Sequence, residues 1–154
     1  IEHSVNEKCV DAIVYYIHLL VKGKIIPEDL NKANEYLTQL NQLLNTKDHR
    51  QFLLQGLISY KKNKLKEAAK FYSEGIKLND PVCMYKYGKM LFIGEGIEKN
   101  NNESIKHFTK SNELGYSKSG NFLSSLKSLN KIKKFSKLSS ETQMIFINNN
   151  IKNN

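Results

Sequence analysis

Three segments of this chain repeat one pattern at a period of about 35 residues. In each, a small residue is followed three and four positions later by two bulky residues. The small residues are Ala33, Ala68 and Ser104, and the bulky pairs are Tyr36 and Leu37, Phe71 and Tyr72, and His107 and Phe108. A period of this length is typical of stacked supersecondary units, so the repeat constrains the fold more than any other feature.

The spacing within each repeat indicates a pair of antiparallel helices. A small residue lets two helix backbones approach closely, and the bulky pair one turn later fills the groove beside the crossing. One hairpin cannot bury its apolar side alone, so neighbouring hairpins must stack. We therefore predict an all-α fold, an α-solenoid of three to four antiparallel helix-turn-helix repeats. Below, the first helix of a hairpin is its A helix and the second its B helix.

Periodicity and helix-breaking residues place the individual helices. Both prolines, Pro27 and Pro81, fall at expected helix starts, and no alternating strand pattern competes. The predicted helices cover about 5–21, 29–44, 49–62, 65–78, 82–92, 102–114 and 117–129, with a last one from Ser139 or Ser140. We expect the repeats to occupy 1–130, divided at about 5–45, 48–80, 81–115 and a partial 116–130.

The C-terminal segment is expected to close the stack of repeats. A terminal repeat needs a cap over its last apolar surface. Residues 131–150 could form a helical cap, and a frayed tail is predicted at 148–154. The apolar residues available for the cap are Phe135, Leu138, Met144, Ile145 and Ile147.

One segment is specific enough to resemble a known family. Residues 82–119 contain Gly88, the loop Gly94-Glu-Gly96, and then Ser104, Phe108, Ser111, Gly115 and Ser119 at the spacings of a Sel-1-like repeat. Residues 12–44 match more loosely, because Ile25 replaces the second loop glycine. Residues 49–82 look closer to a tetratricopeptide repeat. Serine replaces alanine at three family positions, which adds hydroxyls that can bond back to helix carbonyls.

The resemblance implies a right-handed superhelix whose concave side is lined by A helices. It also implies a non-catalytic scaffold or adaptor that binds a peptide or a partner protein, without a cofactor. An alternative is a regulatory helical module of a larger enzyme such as a kinase. The lack of an initiator Met motivates that alternative, because it suggests a mature form or a fragment.

The charge of the chain raises a third function, nucleic-acid binding. The net charge is +9, but Arg50 is the only arginine among 24 basic residues. Arginine is the residue that bidentate phosphate and guanine contacts favour. The segment 116–154 contains seven lysines and one glutamate, so the positive excess is largely C-terminal. Nucleic-acid binding is therefore the less favoured interpretation, and the lysines are expected to be solvated.

Residues with chemical potential are scattered along the sequence. Four histidines show no metal-ligand spacing, and His107 stands where other repeats have Tyr36 and Phe71, so packing explains it. Cys9 and Cys83 could form one disulfide, but we expect two buried free thiols. An intracellular, cytoplasmic location follows, and no apolar run is long enough to span a membrane.

The repeat alignment also predicts a binding surface on the A helices. Gly56 and Gly88 occupy equivalent positions, with Ile17 as their counterpart in the first A helix. Helix geometry then puts eight side chains on the inner surface: Val14, His18, Leu53, Leu57, Tyr60, Tyr85, Lys89 and Phe92. This mostly apolar set favours an amphipathic helix or an apolar peptide as ligand. Leu53 and Leu57 stand where chaperone-binding tetratricopeptide domains use Lys and Asn, which disfavours a chaperone's acidic tail.

Overall fold

A computed structural model describes residues 2–44 and 46–137 of the chain. Within these ranges the chain forms seven α-helices and no β-strand. The helices are α1 (Glu2–Lys22), α2 (Leu30–Leu43), α3 (His49–Lys61), α4 (Leu65–Lys77), α5 (Pro81–Ile93), α6 (Asn101–Glu113) and α7 (Ser117–Ser136). The all-α helical repeat predicted from the sequence is confirmed.

The helices form three consecutive hairpins followed by one more A helix. The contacts within a hairpin join α1 to α2, α3 to α4, and α5 to α6. Each B helix also contacts the next A helix along the chain, which links α2 to α3, α4 to α5, and α6 to α7. In addition, α1 contacts α3 and α3 contacts α5, so these A helices lie side by side in one layer.

Side-chain caps stand at the starts of four helices. Asp29, Asp80 and Asn100 each accept hydrogen bonds from backbone N–H groups in the first turn of their helix. Asp48 forms a capping box with Gln51, in which each side chain bonds the other's backbone. Such caps satisfy donors that a helix end leaves free, so they hold the boundaries within a few residues of the predicted ones.

The helix α7 differs from the prediction at its C-terminal end. It continues to Ser136, past the expected end at Leu129. No Gly or Pro lies between these positions, and lysine favours the helix, so nothing in the local sequence stops it. The predicted further helix from 139 or 140 and the tail at 148–154 lie outside the described residues. Most of the predicted cap at 131–150 does as well.

The repeated positions form the core. Ala33, Ala68 and Ser104 are fully buried. The second member of each bulky pair is buried too, and the first is half-buried. The A-helix residue opposite each large ring is a glycine: Gly56 faces the ring of Tyr72, and Gly88 faces the ring of Phe108.

Buried serines connect helices instead of bonding back to their own helix. The hydroxyl of Ser104 donates to the carbonyl of Gly88 at 2.8 Å, across the α5–α6 hairpin. The hydroxyl of Ser111 donates to the carbonyl of Pro81 at 2.6 Å, and Ser119 donates to Ser111 at 2.7 Å. The expectation of back-bonding was therefore wrong at these three positions, because close helix packing places an acceptor on a neighbouring helix within reach.

The loop between α5 and α6 needs its glycines. Gly94 and Gly96 have φ angles of 89° and 71°, which residues with a side chain rarely adopt. A Cβ atom on Gly96 would also lie 2.6 Å from the carbonyl carbon of Leu65. The Gly-x-Gly sequence thus serves both the backbone angle and the close approach of this loop to the start of α4.

The cysteines are both free, but only one is buried. Cys83 is buried as expected, whereas Cys9 is exposed, which corrects the prediction of two buried thiols. The neighbouring Val10 is buried in the hydrophobic core. Successive residues of a helix are rotated by about 100°, so Cys9 points away from the core. Within the described part of the chain, no helix is both long and apolar enough to cross a membrane.

Candidate functional site

A groove crosses the layer of A helices. Its volume is about 260 Å³, and it takes residues from α1, α3, α5 and the start of α7. We call it the A-helix groove, lined by His18, Val21, Lys22, Leu57, Tyr60, Lys61, Val82, Lys86, Tyr116 and Lys118. The groove therefore depends on the stacking of three hairpins and is not the property of one repeat.

Lysines dominate the charge of the A-helix groove. Lys61 pairs with Glu28 at 2.6 Å between Nζ and Oε2. The other three lysines of the groove, Lys22, Lys86 and Lys118, pair with no carboxylate of the described residues. Burial lowers the pKa of Lys86, and the positive charges of nearby lysines, including Lys118 and Lys22, lower it further. The groove is thus a partly desolvated, positively charged surface.

A half-buried histidine lies beside these lysines. The Nδ1 atom of His18 donates to the carbonyl oxygen of Val14 at 3.0 Å when it carries the proton. Burial lowers the pKa of His18; the hydrogen bond to Val14 opposes this, and the charges of Lys22 and Lys86 add to the lowering. The ring is therefore held in its neutral form more firmly than a free histidine.

Aromatic side chains form the walls of the A-helix groove. The ring of Tyr116 packs edge-on against Tyr85, with 5.3 Å between centroids, and Tyr85 lies 5.7 Å from Phe108. The hydroxyl of Tyr60 donates to Oε2 of Glu95 at 2.6 Å, and this bond raises the pKa of Tyr60. Tyr60 and Tyr116 thus each contact a side chain outside their own helix or loop.

A second concavity adjoins the A-helix groove. It has a volume of about 500 Å³ and a mostly apolar surface. We call it the α1 hollow, lined by Asp11, Val14, Tyr15, His18, Leu19, Lys22, Lys24 and Ile25. His18 and Lys22 line both surfaces, so the hollow and the groove lie side by side.

Five of the eight predicted binding residues lie on these surfaces or next to them. His18, Leu57 and Tyr60 line the A-helix groove, and Val14 lines the α1 hollow. Lys89 lies with Tyr60 in a smaller neighbouring cleft of about 70 Å³. These residues are close enough to contact one ligand, and their role in binding stays a prediction.

The other three predicted residues line neither the A-helix groove nor the α1 hollow. Leu53 is only 8% exposed and belongs to the core, so a ligand could touch little of it. Tyr85 is half-buried against Phe108, and Phe92 is half-buried with its ring 5.4 Å from that of Phe122. The repeat alignment did not separate inner-surface positions from positions that pack between hairpins, because both recur at helical spacing.

The structure adds seven groove residues that the sequence reasoning missed. They are Val21, Lys22, Lys61, Val82, Lys86, Tyr116 and Lys118. A step of one helical turn from His18 and Leu57 would have found Lys22 and Lys61. Tyr116 and Lys118 carried no such signal, because their place at the groove depends on how α7 packs on α6.

Outside the groove and the hollow, the side chains of His49, Asp80 and Cys83 lie close together. The ring of His49 contacts the buried carboxylate of Asp80, which also accepts a hydrogen bond from the backbone N–H of Cys83. Burial raises the pKa of the Cys83 thiol far above its ordinary value, so it is not a nucleophile at neutral pH. No group of three or more His, Cys, Asp or Glu residues in the described ranges could hold a metal ion.

Comparison with known proteins agrees with this architecture. The Sel1 repeat family model matches residues 18–41 and 81–116. The fold is similar to that of Helicobacter pylori cysteine rich protein B, with a TM-score of 0.52 and 23% sequence identity. That similarity covers 77% of this chain and 96% of the other. No curated protein sequence matches significantly.

The match falls on the two segments that first resembled this family. Residues 18–41 lie across α1 and α2, and residues 81–116 contain α5, its Gly-x-Gly loop and α6. The hairpin between them, α3 and α4, has the same small and bulky positions in its core. The chain thus contains two segments that match the Sel1 repeat model, within an all-α fold of stacked helical hairpins.

Proposed function

We propose that this protein is a non-catalytic interaction module that binds a peptide or partner protein in the A-helix groove. One observation carries the proposal: a groove crosses three hairpins and combines apolar and aromatic side chains with three lysines, Lys22, Lys86 and Lys118, that pair with no carboxylate of the described chain. Half-buried apolar and aromatic surface with unsatisfied charge is typical of a binding site. The repeat architecture supports the same function, since stacked hairpins provide an extended surface for a partner.

Two further observations support a role without catalysis inside the cell. The thiol of Cys83 is held protonated by burial, and His107 packs edge-on against Tyr87 at 5.2 Å between centroids. Both observations favour packing roles for these groups. Both cysteines are free, which fits a compartment that keeps thiols reduced.

The experiment that tests the proposal compares two exposed apolar residues on opposite sides of the solenoid. Tyr60 lies at the groove and is 39% exposed; Ile105 lies on the B helix α6 and is 43% exposed. Each is changed to Asp, and the purified variants are used to capture cross-linked partners from cells of the source organism. Quantitative mass spectrometry compares each with the wild type. Circular dichroism checks that both variants keep their helical content.

The expected result is that Tyr60→Asp loses the specific partners, whereas Ile105→Asp retains them. The reason is that a new carboxylate in the groove disturbs the surface that a ligand would contact. Loss of the partners in Ile105→Asp with retention in Tyr60→Asp would place the binding surface on the B helices and contradict the proposal.

A further inference from the structure

The chemistry of the A-helix groove allows its ligand to be specified further. Lys22, Lys61, Lys86 and Lys118 come from α1, α3, α5 and α7, and no acidic side chain lines the groove with them. Lys61 has Glu28 as a partner, but the other three lysines have none in the described structure. Three uncompensated positive charges therefore converge from three separate helices.

Two carboxylates, those of Asp80 and Glu95, lie near the groove, but neither forms an ion pair with Lys22, Lys86 or Lys118 in the described structure. Asp80 contacts His49 and the backbone N–H of Cys83, and Glu95 accepts the hydrogen bond of Tyr60. The charges that act on Lys86 are those of Lys89, Lys118 and Lys22, all of the same sign. Like charges in a partly desolvated site repel each other, so an anionic ligand would relieve a strain that the free protein carries.

The surroundings of the lysines favour a peptide as the anion. Leu57 and Val82 give the groove an apolar floor, and the adjoining α1 hollow adds exposed Tyr15 (63%) and Ile25 (75%). No arginine lines either surface; Arg50, which would suit phosphate best, is bound to Asp48 and Asp11 instead. Carboxylates beside apolar side chains complement this mixture better than a chain of phosphates does.

We propose that the A-helix groove binds a short acidic peptide segment of a partner protein. Its Asp or Glu carboxylates pair with Lys22, Lys86 and Lys118, and an adjacent apolar side chain lies in the α1 hollow. This rests on the proposed function and adds the class of ligand to it. These three lysines lie on α1, α5 and α7, whereas Leu53 and Leu57, which stand at positions of the tetratricopeptide carboxylate clamp, lie on α3.

The test uses a fluorescein-labelled synthetic peptide of about ten residues, a length typical of groove-bound segments, in which a block of Glu precedes two Leu. A second peptide has Gln in place of every Glu. Fluorescence anisotropy measures both affinities for the wild type and for the double variant Lys86→Gln, Lys118→Gln. The matched control is Lys66→Gln, Lys70→Gln, which removes two exposed lysines of α4 and changes the net charge equally.

We expect the acidic peptide to bind the wild type at least about tenfold more tightly than its Gln counterpart. The groove variant should lose at least about tenfold in affinity, and the α4 variant should change little, because local pairing outweighs distant screened charge. Tyr15→Ala should lower the affinity for the acidic peptide several-fold. It should not change the affinity for a peptide without the leucine pair.

Three results would overturn the inference. Equal weakening by the groove and α4 variants would show that only bulk charge matters. Equally tight binding of an oligouridine of the same length would assign the groove to nucleic acid, if that binding is also lost in the variant of Lys86 and Lys118. Absence of acidic-peptide binding, with Tyr60-dependent capture of partners retained, would reject this ligand class and leave the proposed function standing.

Discussion

The packing of Gly56 against Tyr72 gives the sharpest prediction about how the repeats hold together. A Cβ atom placed on Gly56 would lie 2.4 Å from Cε1 and 2.6 Å from Cδ1 of Tyr72. The ring is 1% exposed and has no room to rotate into solvent. The variant Gly56→Ala must therefore separate α3 from α4 or distort the ring.

The expected magnitude combines two opposing effects. An extra methyl group in a packed core costs about 1–3 kcal/mol, and the upper end applies where the ring is enclosed. Replacing glycine by alanine inside a helix returns about 1 kcal/mol. We thus expect the free energy of unfolding of Gly56→Ala to fall by about 2 kcal/mol. For a chain of this size that lowers Tm by about 4–8 °C.

Gly88 provides the matched control. Its added Cβ atom would lie 3.1 Å from Cε1 of Phe108, a distance that a shift of a few tenths of an ångström relieves. The cost and the helical gain then nearly cancel, so Gly88→Ala should change the stability by less than about 1 kcal/mol. Thermal and urea unfolding followed by circular dichroism measure both variants on the same chain.

A second substitution tests the cause of the effect. Tyr72→Leu copies the leucine found at the equivalent position 37, and it should free the space that the new methyl group needs. The double variant should then be at least about 1 kcal/mol more stable than the sum of the single effects predicts. Equal losses in Gly56→Ala and Gly88→Ala, or additive effects in the double variant, would refute the size-matching argument.

Two further predictions concern buried polar groups. Ser111→Ala removes the acceptor of the Ser119 hydroxyl and the donor to a carbonyl at the start of α5, so it should cost about 1–3 kcal/mol in urea unfolding. The exposed Ser125→Ala should cost less than about 0.5 kcal/mol, and an equal loss would contradict the role of the serine chain. Burial lowers the pKa of His18 and His107 below 6.5, so stability should fall in unfolding titrations as the pH drops through and below that value.

The sign of the pH effect follows from proton uptake. Below pH 6.5 the unfolded chain binds a proton at each of these histidines more readily than the folded chain does, which favours unfolding. The contribution is therefore complete above the unfolded pKa and is lost toward acid. His107→Phe should make the curve shallower between about pH 5 and 6.5, and an unchanged curve would contradict this account.

Much of the fold was readable in the sequence. The small residue and the bulky pair recur in each hairpin because every hairpin must bury the same side against its neighbour. Ala33, Ala68 and Ser104 are buried for that reason, and their spacing alone predicted three hairpins. Helix starts were equally accessible, because Asp29, Asp48 and similar caps act through neighbours only two or three residues away.

The candidate site was only partly readable. The alignment found His18, Leu57 and Tyr60 at the groove, yet it also selected Leu53, which is in the core. It missed the four lysines of the groove, which are Lys22, Lys61, Lys86 and Lys118. Periodicity identifies the side of a helix that packs, because the core positions of every repeat must be buried against the neighbouring hairpin. It says little about surface positions, which share no such requirement.

The tertiary structure alone decided the charge and shape of the A-helix groove. Lys22, Lys86 and Lys118 are far apart in the chain, and each belongs to a different helix. Only the stacking of hairpins brings them around one groove, with Tyr116 as a wall. The sequence by itself determined that helices would pair and stack, since that depends on local spacing and burial. Which surface residues then meet depends on the angles and offsets between helices, which no local pattern encodes.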